Sequence, residues 1–260
     1  MSENIIIISH RRSGTHLSID SIRNNILPYK YNDFLVLNEN NLDSEKFTEF
    51  CNIADKKNNV IKTHFLPDFK LYSADNEQIT KLNKLFSNSF LIYVYRNGLD
   101  VMVSLYEYMK KFNEEVNNLS FEEFLETNNN FDNTEAQYKR EEFWKYHIQE
   151  WKNYKLKDNI MWIKYEDFIT NYEGTISEIC ENFKLTKAEK ITDIRIQNTK
   201  SKNSKIDKIK NILKGVKKTS VSARKGIIGD YKNYYSTIKI DEFLSKNKNF
   251  LNELGYNLQK

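Results

Sequence analysis

Short apolar runs alternate with amphipathic stretches along the chain, and this alternation predicts an α/β fold. Runs rich in β-branched and aromatic residues have the length of buried strands at 5–8, 33–37, 90–95 and 160–164, and another begins at 60–61. Apolar residues recur at helical spacing at 17–26, 43–54, 77–86, 98–105, 120–126, 136–154 and 176–183. We therefore expect a single domain, residues 1–260, with a doubly wound, mostly parallel central sheet flanked by helices.

A polar loop at 9–16 joins the first predicted strand to the first predicted helix. Unpaired backbone N–H groups and the positive end of the helix dipole meet at such a junction, which favours an anion. The loop also carries two cations, two hydroxyls and a glycine, namely Arg11, Arg12, Ser13, Gly14 and Thr15. This pattern predicts a P-loop-like phosphate site, although a turn followed by an N-cap uses the same Ser-Gly-Thr letters. The standard Gly-Lys-Ser/Thr triplet is absent.

Two further strand ends carry groups suited to an anionic ligand. Lys62 and His64 follow the third predicted strand, just before a proline that ends the regular structure. Arg96 and Ser104 follow the strand at 90–95, at a second strand-to-helix junction. Because ligands bind at the carboxyl edge of open parallel sheets, these side chains are candidates for one site.

The composition changes between Lys200 and Lys225. This segment holds ten lysines and arginines against a single acidic residue, Asp207, and it runs into Arg224-Lys225-Gly226. Such a run is usually a solvated, mobile segment. The functional alternative is a lid that closes over an anionic ligand.

Composition narrows the class of protein. The 260 residues include 16 Tyr and 16 Phe but only 7 Gly and 2 Pro, which disfavours disordered and collagen-like chains. The net charge of +4 is compatible with anionic ligands and gives little support to nucleic-acid binding. Cys51 and Cys180 lie far apart, so we expect free thiols in a reducing compartment. No apolar run is long enough for a leader or a membrane span, so we expect a soluble cytoplasmic protein.

Four motifs together, in order and chemical character, resemble the cytosolic sulfotransferase family. They are Arg12-Ser13-Gly14-Thr15, Lys62-Thr63-His64, the pair Arg96 and Ser104, and Arg224-Lys225-Gly226. The resemblance extends from Ile5 to about Glu242. It implies transfer of a sulfuryl group from 3′-phosphoadenosine 5′-phosphosulfate (PAPS) to a hydroxyl, with adenosine 3′,5′-bisphosphate (PAP) as the product and no metal. The implied acceptor is a small molecule, a glycolipid or a sugar, and the family resemblance also implies a homodimer.

The resemblance assigns roles to individual residues. It implies a donor site built from Arg12, Ser13, Gly14, Thr15, His16, Arg96, Ser104, Tyr165, Thr199, Arg224, Lys225 and Gly226. It implies His64 as the general base, with Lys62 and Arg12 stabilising charge on the leaving phosphate. A neutral imidazole suits a base near pH 7, and fixed cations suit a developing oxyanion.

Aromatic residues and a histidine are expected near the acceptor. The predicted pocket contains Phe65, Tyr106, Trp144 and His147, of which the last two match a Trp-x-x-His pattern of the family. Their spacing on a predicted helix is equally typical of a packed core. The family's short dimer motif is partly matched by Lys232, Tyr235, Ser236 and Glu242.

The chain departs from the family pattern at two positions of the first loop and helix. Arg12 stands where the family has a lysine, which favours electrostatic over acid assistance because a guanidinium does not readily release a proton. Leu17 stands where the family often has a tryptophan that stacks on adenine, so that face of the nucleotide pocket is expected to be built differently. The chain also begins almost directly at its first strand, which implies a more open acceptor pocket.

Two other functions are compatible with parts of the sequence. A P-loop-type small-molecule kinase predicts dependence on ATP and Mg²⁺, and the missing Gly-Lys-Ser/Thr triplet argues against it. A nucleic-acid-binding protein that uses the segment 200–225 predicts steeply salt-dependent association. The absence of interleaved aromatic residues in that segment argues against this alternative.

Overall fold

The structure is a computed structural model that describes residues 3–30, 32–56, 58–128, 131, 134–195 and 226–256. The predicted roles of Thr199, Arg224 and Lys225, and the predicted lid at 200–225, lie outside the described residues. The chain divides into two compact units, Met1–Tyr95 with His147–Ala223, and Arg96–Tyr146 with Arg224–Lys260. The single domain expected from the sequence stays a prediction.

The first unit contains a five-stranded parallel sheet. Its strands are β1 (Ile5–Ile8), β2 (Phe34–Leu37), β3 (Val60–Thr63), β4 (Phe90–Tyr95) and β5 (Ile160–Lys164), in the order β2-β3-β1-β4-β5. All neighbouring strands run parallel. This sheet and the helices between its strands confirm the predicted α/β fold, and each predicted strand is present.

Seven of the described helices match predicted stretches, with differences at their ends. The helices are α1 (Thr15–Asn25), α2 (Ser44–Lys56), α3 (Asn76–Ser87), α4 (Gly98–Met109), α5 (Glu114–Asn117), α6 (Phe121–Glu126), α7 (Arg140–Asn153), α8 (Tyr165–Thr170), α9 (Tyr172–Phe183) and α10 (Thr237–Glu253). Helix α7 begins four residues later than the predicted stretch at 136–154. Helices α5, α8 and α10 were not predicted.

Strand β1 is the centre of the first unit. Its four isoleucines have no exposed surface, because both faces of the sheet are covered. Ile5 and Ile7 belong to a cluster with residues of α1, β5, α8 and α9, including Ile22 and Phe168. This buried strand fixes the position of the loop that follows it.

The loop after β1 leaves the sheet beside the end of β3. Ile8 pairs with Thr63, so Ser9 and His64 follow at the same level of the carboxyl edge. The chain passes from β1 toward β2 on one side and from β4 toward β5 on the other. Diverging connections of this kind leave a ligand-binding crevice in open α/β sheets.

The second unit is helical among its described residues. Gly98, the first residue of α4, lies so close to Phe243 and Trp144 that an added Cβ would approach them to 2.8 and 3.0 Å. Helix α10 begins at Ser236, whose hydroxyl accepts a hydrogen bond from the Lys239 N–H, and it buries Phe243, Asn247, Phe250 and Leu251 on one face. This i, i+4, i+7, i+8 spacing and the N-cap were the sequence signals for α10.

We expect Phe168→Ala to lower the free energy of unfolding by about 3–5 kcal/mol, because Phe168 is fully buried in the cluster around β1. The matched control is Phe112→Ala, at a phenylalanine that is 73% exposed, and it should change stability by about 0.5 kcal/mol or less. Urea denaturation of both variants measures the difference. Equal losses would contradict the assignment of the core.

Candidate functional site

The loop after β1 adopts a backbone that L-residues avoid. The Ser13 N–H donates to the His10 carbonyl at 3.3 Å and closes a tight turn. Within it Arg12 has a φ of 67°, in the left-handed region. Gly14 follows with a φ of 105° and forms the N-cap of α1. A non-glycine residue in this region costs about 1–2 kcal/mol, so the surrounding fold holds Arg12 in a strained position.

Gly14 is also fixed by a neighbour that is distant in sequence. A Cβ added at Gly14 would collide with Cδ2 of Tyr165 and lie 3.3 Å from Cε2 of the same ring. Tyr165 is the first residue of α8, directly after β5. Two residues that the sequence assigned to one donor site therefore contact each other.

The start of α1 offers unsatisfied hydrogen-bond donors. No side chain caps this helix, and the first-turn N–H groups of a helix have no partner within it. The Ser13 hydroxyl is buried and has no hydrogen-bond partner among the described residues. The Thr15 hydroxyl lies 2.7 Å from the Ser9 hydroxyl, so one of the two donates a hydrogen bond to the other. The arrangement suits an anion at the N-terminus of the helix.

Positive charge accumulates beside these donors. The Lys62 amine lies 3.4 Å from Nε2 of His16. Burial and the charges of Arg11 and Arg12 lower the pKa of Lys62 to about 8. Burial, Lys62 and Arg12 lower the pKa of His16 to about 4. The lowered pKa values of Lys62 and His16 show that further positive charge is unfavourable at this site. A bound anion would make it favourable again.

His64 is held as a neutral imidazole. Its Nδ1 lies 2.7 Å from the Ser9 carbonyl, and because a carbonyl only accepts, Nδ1–H is the donor. Burial is the main cause that lowers the pKa of His64 well below its ordinary value, and the charges of Arg11 and Lys62 add to it. Nε2 therefore carries a lone pair, and no described residue donates a hydrogen bond to it. A histidine in this state is neutral at pH 7 and has a lone pair available for the proton of a reacting hydroxyl.

Arg96 and Ser104 lie in the second unit. Both are buried, and Ser104 lies two turns into α4. The Arg96 guanidinium donates to the Ile227 carbonyl at 3.2 Å and lies 3.9 Å from the Asp100 carboxylate. The Trp144 indole N–H donates to the Arg96 carbonyl at 3.2 Å. The backbone and the side chain of Arg96 are thus both fixed.

Asp100 fixes the segment that follows Gly226. Its carboxylate accepts hydrogen bonds from the N–H of Gly229 at 2.8 Å and from the N–H of Tyr231 at 3.2 Å. Gly226 itself is exposed and has a φ of 68°. Asp100 is also the acidic residue in the first turn of α4. The structure gives it three partners in the second unit, because Arg96 also lies beside it.

The four residues predicted to line an acceptor pocket are all buried. Phe65 stacks on Tyr72 with ring centroids 3.9 Å apart, and the Tyr106 hydroxyl donates to the Leu119 carbonyl at 2.7 Å. Trp144 and His147 have no exposed surface, and each bonds a backbone carbonyl. The acceptor pocket stays a prediction, and in the structure these side chains support the backbone around Arg96 and His64.

The residues of the predicted dimer motif have roles within the second unit. The Tyr235 hydroxyl donates to Glu141 at 3.3 Å, Ser236 caps α10, and Glu242 pairs with Lys239 at 3.1 Å. The homodimer stays a prediction.

Within the described part of the chain, no group of three or more His, Cys, Asp or Glu residues is arranged to hold a metal ion. No helix among the same residues is long and apolar enough to cross a bilayer. Cys51 and Cys180 are free thiols, as predicted.

Comparisons with known proteins agree on one family. The family described as "Sulfotransferase domain" matches residues 2–248. Mouse sulfotransferase 1A1 is 29% identical over 189 residues, which are 71% of this chain and 60% of that protein. Mouse sulfotransferase 2A6 is 28% identical over 178 residues, 61% of this chain and 57% of that protein. The chain thus matches three fifths or less of the length of these relatives.

Solved structures support the same fold. Mouse sulfotransferase SULT7A1 complexed with PAP superposes with a TM-score of 0.57 at 21% identity, covering 95% of this chain and 85% of that one. Retinol dehydratase in a complex with retinol and PAP gives a TM-score of 0.51 at 15% identity, covering 95% and 81%. At these identities the likeness establishes the fold alone.

We expect an anion to raise the pKa of Lys62 above its value of about 8, because negative charge offsets the repulsion from Arg11 and Arg12. Inorganic sulfate is a suitable probe since it does not titrate in this range. NMR titration of the Lys62 side chain in sulfate, against chloride of equal ionic strength, measures the change. Arg12→Gln should raise the same pKa without sulfate, and no response to either change would contradict the cationic site.

Gly14→Ala should destabilise the protein by about 1–3 kcal/mol from backbone strain, and further through the collision with Tyr165. A double-mutant cycle with Tyr165→Ala separates the two causes, because the second change removes the ring but not the strain. Urea denaturation of the four proteins gives the coupling free energy. A coupling near zero would mean that the ring does not constrain position 14.

Proposed function

The chain belongs to the sulfotransferase family, and from that premise we propose that it transfers a sulfuryl group from PAPS to the hydroxyl of an acceptor and releases PAP. One observation carries the proposal. The uncapped start of α1, with its surplus of positive charge, lies directly beside a histidine held neutral with a free Nε2. An anionic donor and a base are the two things that this reaction requires.

The first loop fits the phosphosulfate end of PAPS. The Ser13 hydroxyl is buried without a partner, and the first-turn N–H groups of α1 point the same way as the helix dipole. The close packing of Gly14 on Tyr165 leaves no room for a side chain between them. In this proposal Arg12, Ser13, Gly14, Thr15 and His16 hold the donor, with Tyr165 behind the loop.

The protein's part in the reaction is to move one proton and to balance one charge. The acceptor oxygen forms a bond to sulfur as the bond from sulfur to the phosphate oxygen breaks, and PAPS supplies the activated sulfuryl group. Nε2 of His64 takes the proton of the acceptor hydroxyl. Lys62 and Arg12 stabilise the charge on the leaving phosphate oxygen. Of these two, only Lys62, with a pKa near 8, can also release a proton to it.

The 3′-phosphate of the donor is assigned to Arg96 and Ser104. Both are buried, and the hydrogen bonds of Arg96 to Ile227 and of its carbonyl to Trp144 hold the arginine in place. Arg224, Lys225 and Gly226 are assigned to a basic loop that closes over the nucleotide, and Thr199 is assigned to the adenine. Leu17 is only partly buried and packs against the core cluster, which gives adenine no aromatic partner at that position.

The proposal also covers the class of acceptor, the oligomeric state and the cellular compartment. The acceptor is a small molecule, a glycolipid or a sugar, and the residues proposed for its pocket are Phe65, Tyr106, Trp144 and His147. The protein acts in the cytoplasm, as a homodimer. ATP-dependent phosphoryl transfer is the second outcome to be tested, because it uses the same type of loop.

We expect His64→Asn to lower the rate of sulfuryl transfer by about 10²- to 10⁴-fold, the usual contribution of a general base. The asparagine amide can still donate to the Ser9 carbonyl, as Nδ1 of His64 does, but it cannot take up a proton. Transfer of labelled sulfate from PAPS to a mixed acceptor panel measures activity, and calorimetry with PAP measures donor binding. PAP affinity should be unchanged.

Two results of the same assay would contradict the proposal. Transfer of labelled phosphate from ATP with Mg²⁺, and none from PAPS, would assign a kinase. A variant that keeps full transfer activity would show that His64 is not the base. Arg96→Ala is the companion variant, and it should weaken PAP binding at least tenfold if Arg96 holds the 3′-phosphate.

A further inference from the structure

A buried chain of hydrogen bonds runs from the sheet to the backbone of His64. Tyr93 lies on β4 and His147 on α7, and neither has any exposed surface. The Tyr93 hydroxyl lies 2.6 Å from Nδ1 of His147. Nε2 of His147 lies 3.0 Å from the carbonyl oxygen of His64. All three residues belong to the first unit.

For a neutral His147 ring, the partners fix the protons of this chain. A carbonyl oxygen only accepts, so Nε2 of His147 carries a hydrogen and donates it to His64. In the neutral ring Nδ1 is then an acceptor, and the Tyr93 hydroxyl donates to it. Burial raises the pKa of Tyr93 well above its ordinary value, so the hydroxyl keeps its proton. His147 is thereby restricted to one tautomer, with its hydrogen on Nε2.

The backbone around His64 has a second attachment on the same helix. Trp151, one turn after His147 on α7, donates its indole N–H to the Phe65 carbonyl at 2.9 Å. Two consecutive carbonyls at the end of β3 are therefore bonded to two buried side chains of α7. This accounts for the burial of His147, which the sequence assigned to an acceptor pocket.

The ring of His64 is held by a different segment. Its Nδ1–H donates to the Ser9 carbonyl at 2.7 Å, at the start of the loop after β1. His10, the next residue, has its ring edge-on to that of His147 with centroids 6.0 Å apart. His147 thus contacts both the segment that carries His64 and the segment that orients its ring.

We propose that Tyr93 and His147 form a positioning pair that sets the place of His64 Nε2 for proton transfer. The proposal rests on the function proposed above. Without the Tyr93 hydroxyl, Nδ1 of His147 loses its hydrogen-bond donor, and the ring is held only through Nε2. The ring is then free to rotate, and the His64 carbonyl to which Nε2–H donates moves with it. A displacement of about 1 Å in a reacting group can cost about 10²-fold in rate.

The first test needs no enzymatic activity. Nitrogen-15 NMR of the histidine rings reads the tautomers directly. In the wild-type protein His147 should be protonated on Nε2 and His64 on Nδ1. In Tyr93→Phe the Nδ1 signal of His147 should shift, because that nitrogen loses its hydrogen-bond donor, and the His64 signals should shift with it. Protonation of His147 on Nδ1 in the wild type, or unaltered His64 signals in Tyr93→Phe, would overturn the proposal.

The second test separates positioning from stability. We expect Tyr93→Phe to lower kcat about 10- to 100-fold while the KM for PAPS stays within about twofold. The matched control is Tyr29→Phe, because Tyr29 is also fully buried in the first unit and its hydroxyl donates to one backbone carbonyl, that of Glu3 at 2.8 Å. This control should lose similar stability and keep its kcat.

Conservative replacement of His147 completes the test. His147→Gln keeps an N–H donor for the His64 carbonyl and should retain more of the wild-type kcat than His147→Leu. An inactive wild-type protein would reject the proposed function, and the NMR result would still decide the role of the pair. An active wild type with equal kcat in Tyr93→Phe and Tyr29→Phe would overturn the positioning role alone.

Discussion

The pairing of β1 with β3 is the constraint on which the site depends. Because Ile8 lies opposite Thr63, the next residue of each strand, Ser9 and His64, emerges at the same level of the sheet. The Ser9 carbonyl then reaches Nδ1 of His64, which fixes the proton on that nitrogen and leaves Nε2 free. A shift of one residue in this register would separate the loop from the histidine. The complete burial of the four isoleucines of β1 is what makes such a shift costly.

The loop after β1 lowers the stability of the folded protein when no anion is bound. Arg12 occupies a left-handed backbone conformation, and the Ser13 hydroxyl is buried without a partner among the described residues. Burial, together with the charges of Arg11 and Arg12, lowers the pKa of Lys62. Each of these features lowers the stability of the folded protein. An anion would accept a hydrogen bond from the Ser13 hydroxyl and would offset the positive charge around Lys62. Backbone strain and shifted pKa values concentrated at one loop are typical of a functional site.

Much of the fold could be predicted from hydrophobic patterning. Continuous apolar runs such as Ile5–Ile8 and Phe90–Tyr95 correctly indicated strands buried on both faces. Helix α10 was not predicted, because the polar Asn247 interrupts the apolar face that Phe243, Phe250 and Leu251 form. The delayed start of α7 has a local cause, since the chain forms an isolated bridge between Asn128 and Lys139 immediately before it.

Individual residues of the site could be predicted from the sequence, but the hydrogen bonds between distant residues could not. Chemical character and strand position were enough to single out the loop at 9–16, Lys62 and His64. The Tyr93–His147 chain could not be derived in the same way, because contacts between residues 54 positions apart depend on the packing of α7 against the sheet. Within the second unit, the hydrogen bonds of Asp100 to the N–H groups of Gly229 and Tyr231 also join residues that are distant in sequence, so they too depend on tertiary packing.

The lowered pKa of Lys62 also has a consequence for chemical reactivity. With a pKa near 8, about a tenth of the Lys62 side chains are neutral amines at pH 7, whereas an ordinary lysine near 10.4 has fewer than about one in a thousand. A neutral amine is a nucleophile, and Lys62 is only partly buried. The burial and the neighbouring charges that suit this lysine to an anion therefore also make it a selective target for electrophiles. Covalent labels and covalent inhibitors would both react at Lys62, on β3 beside His16.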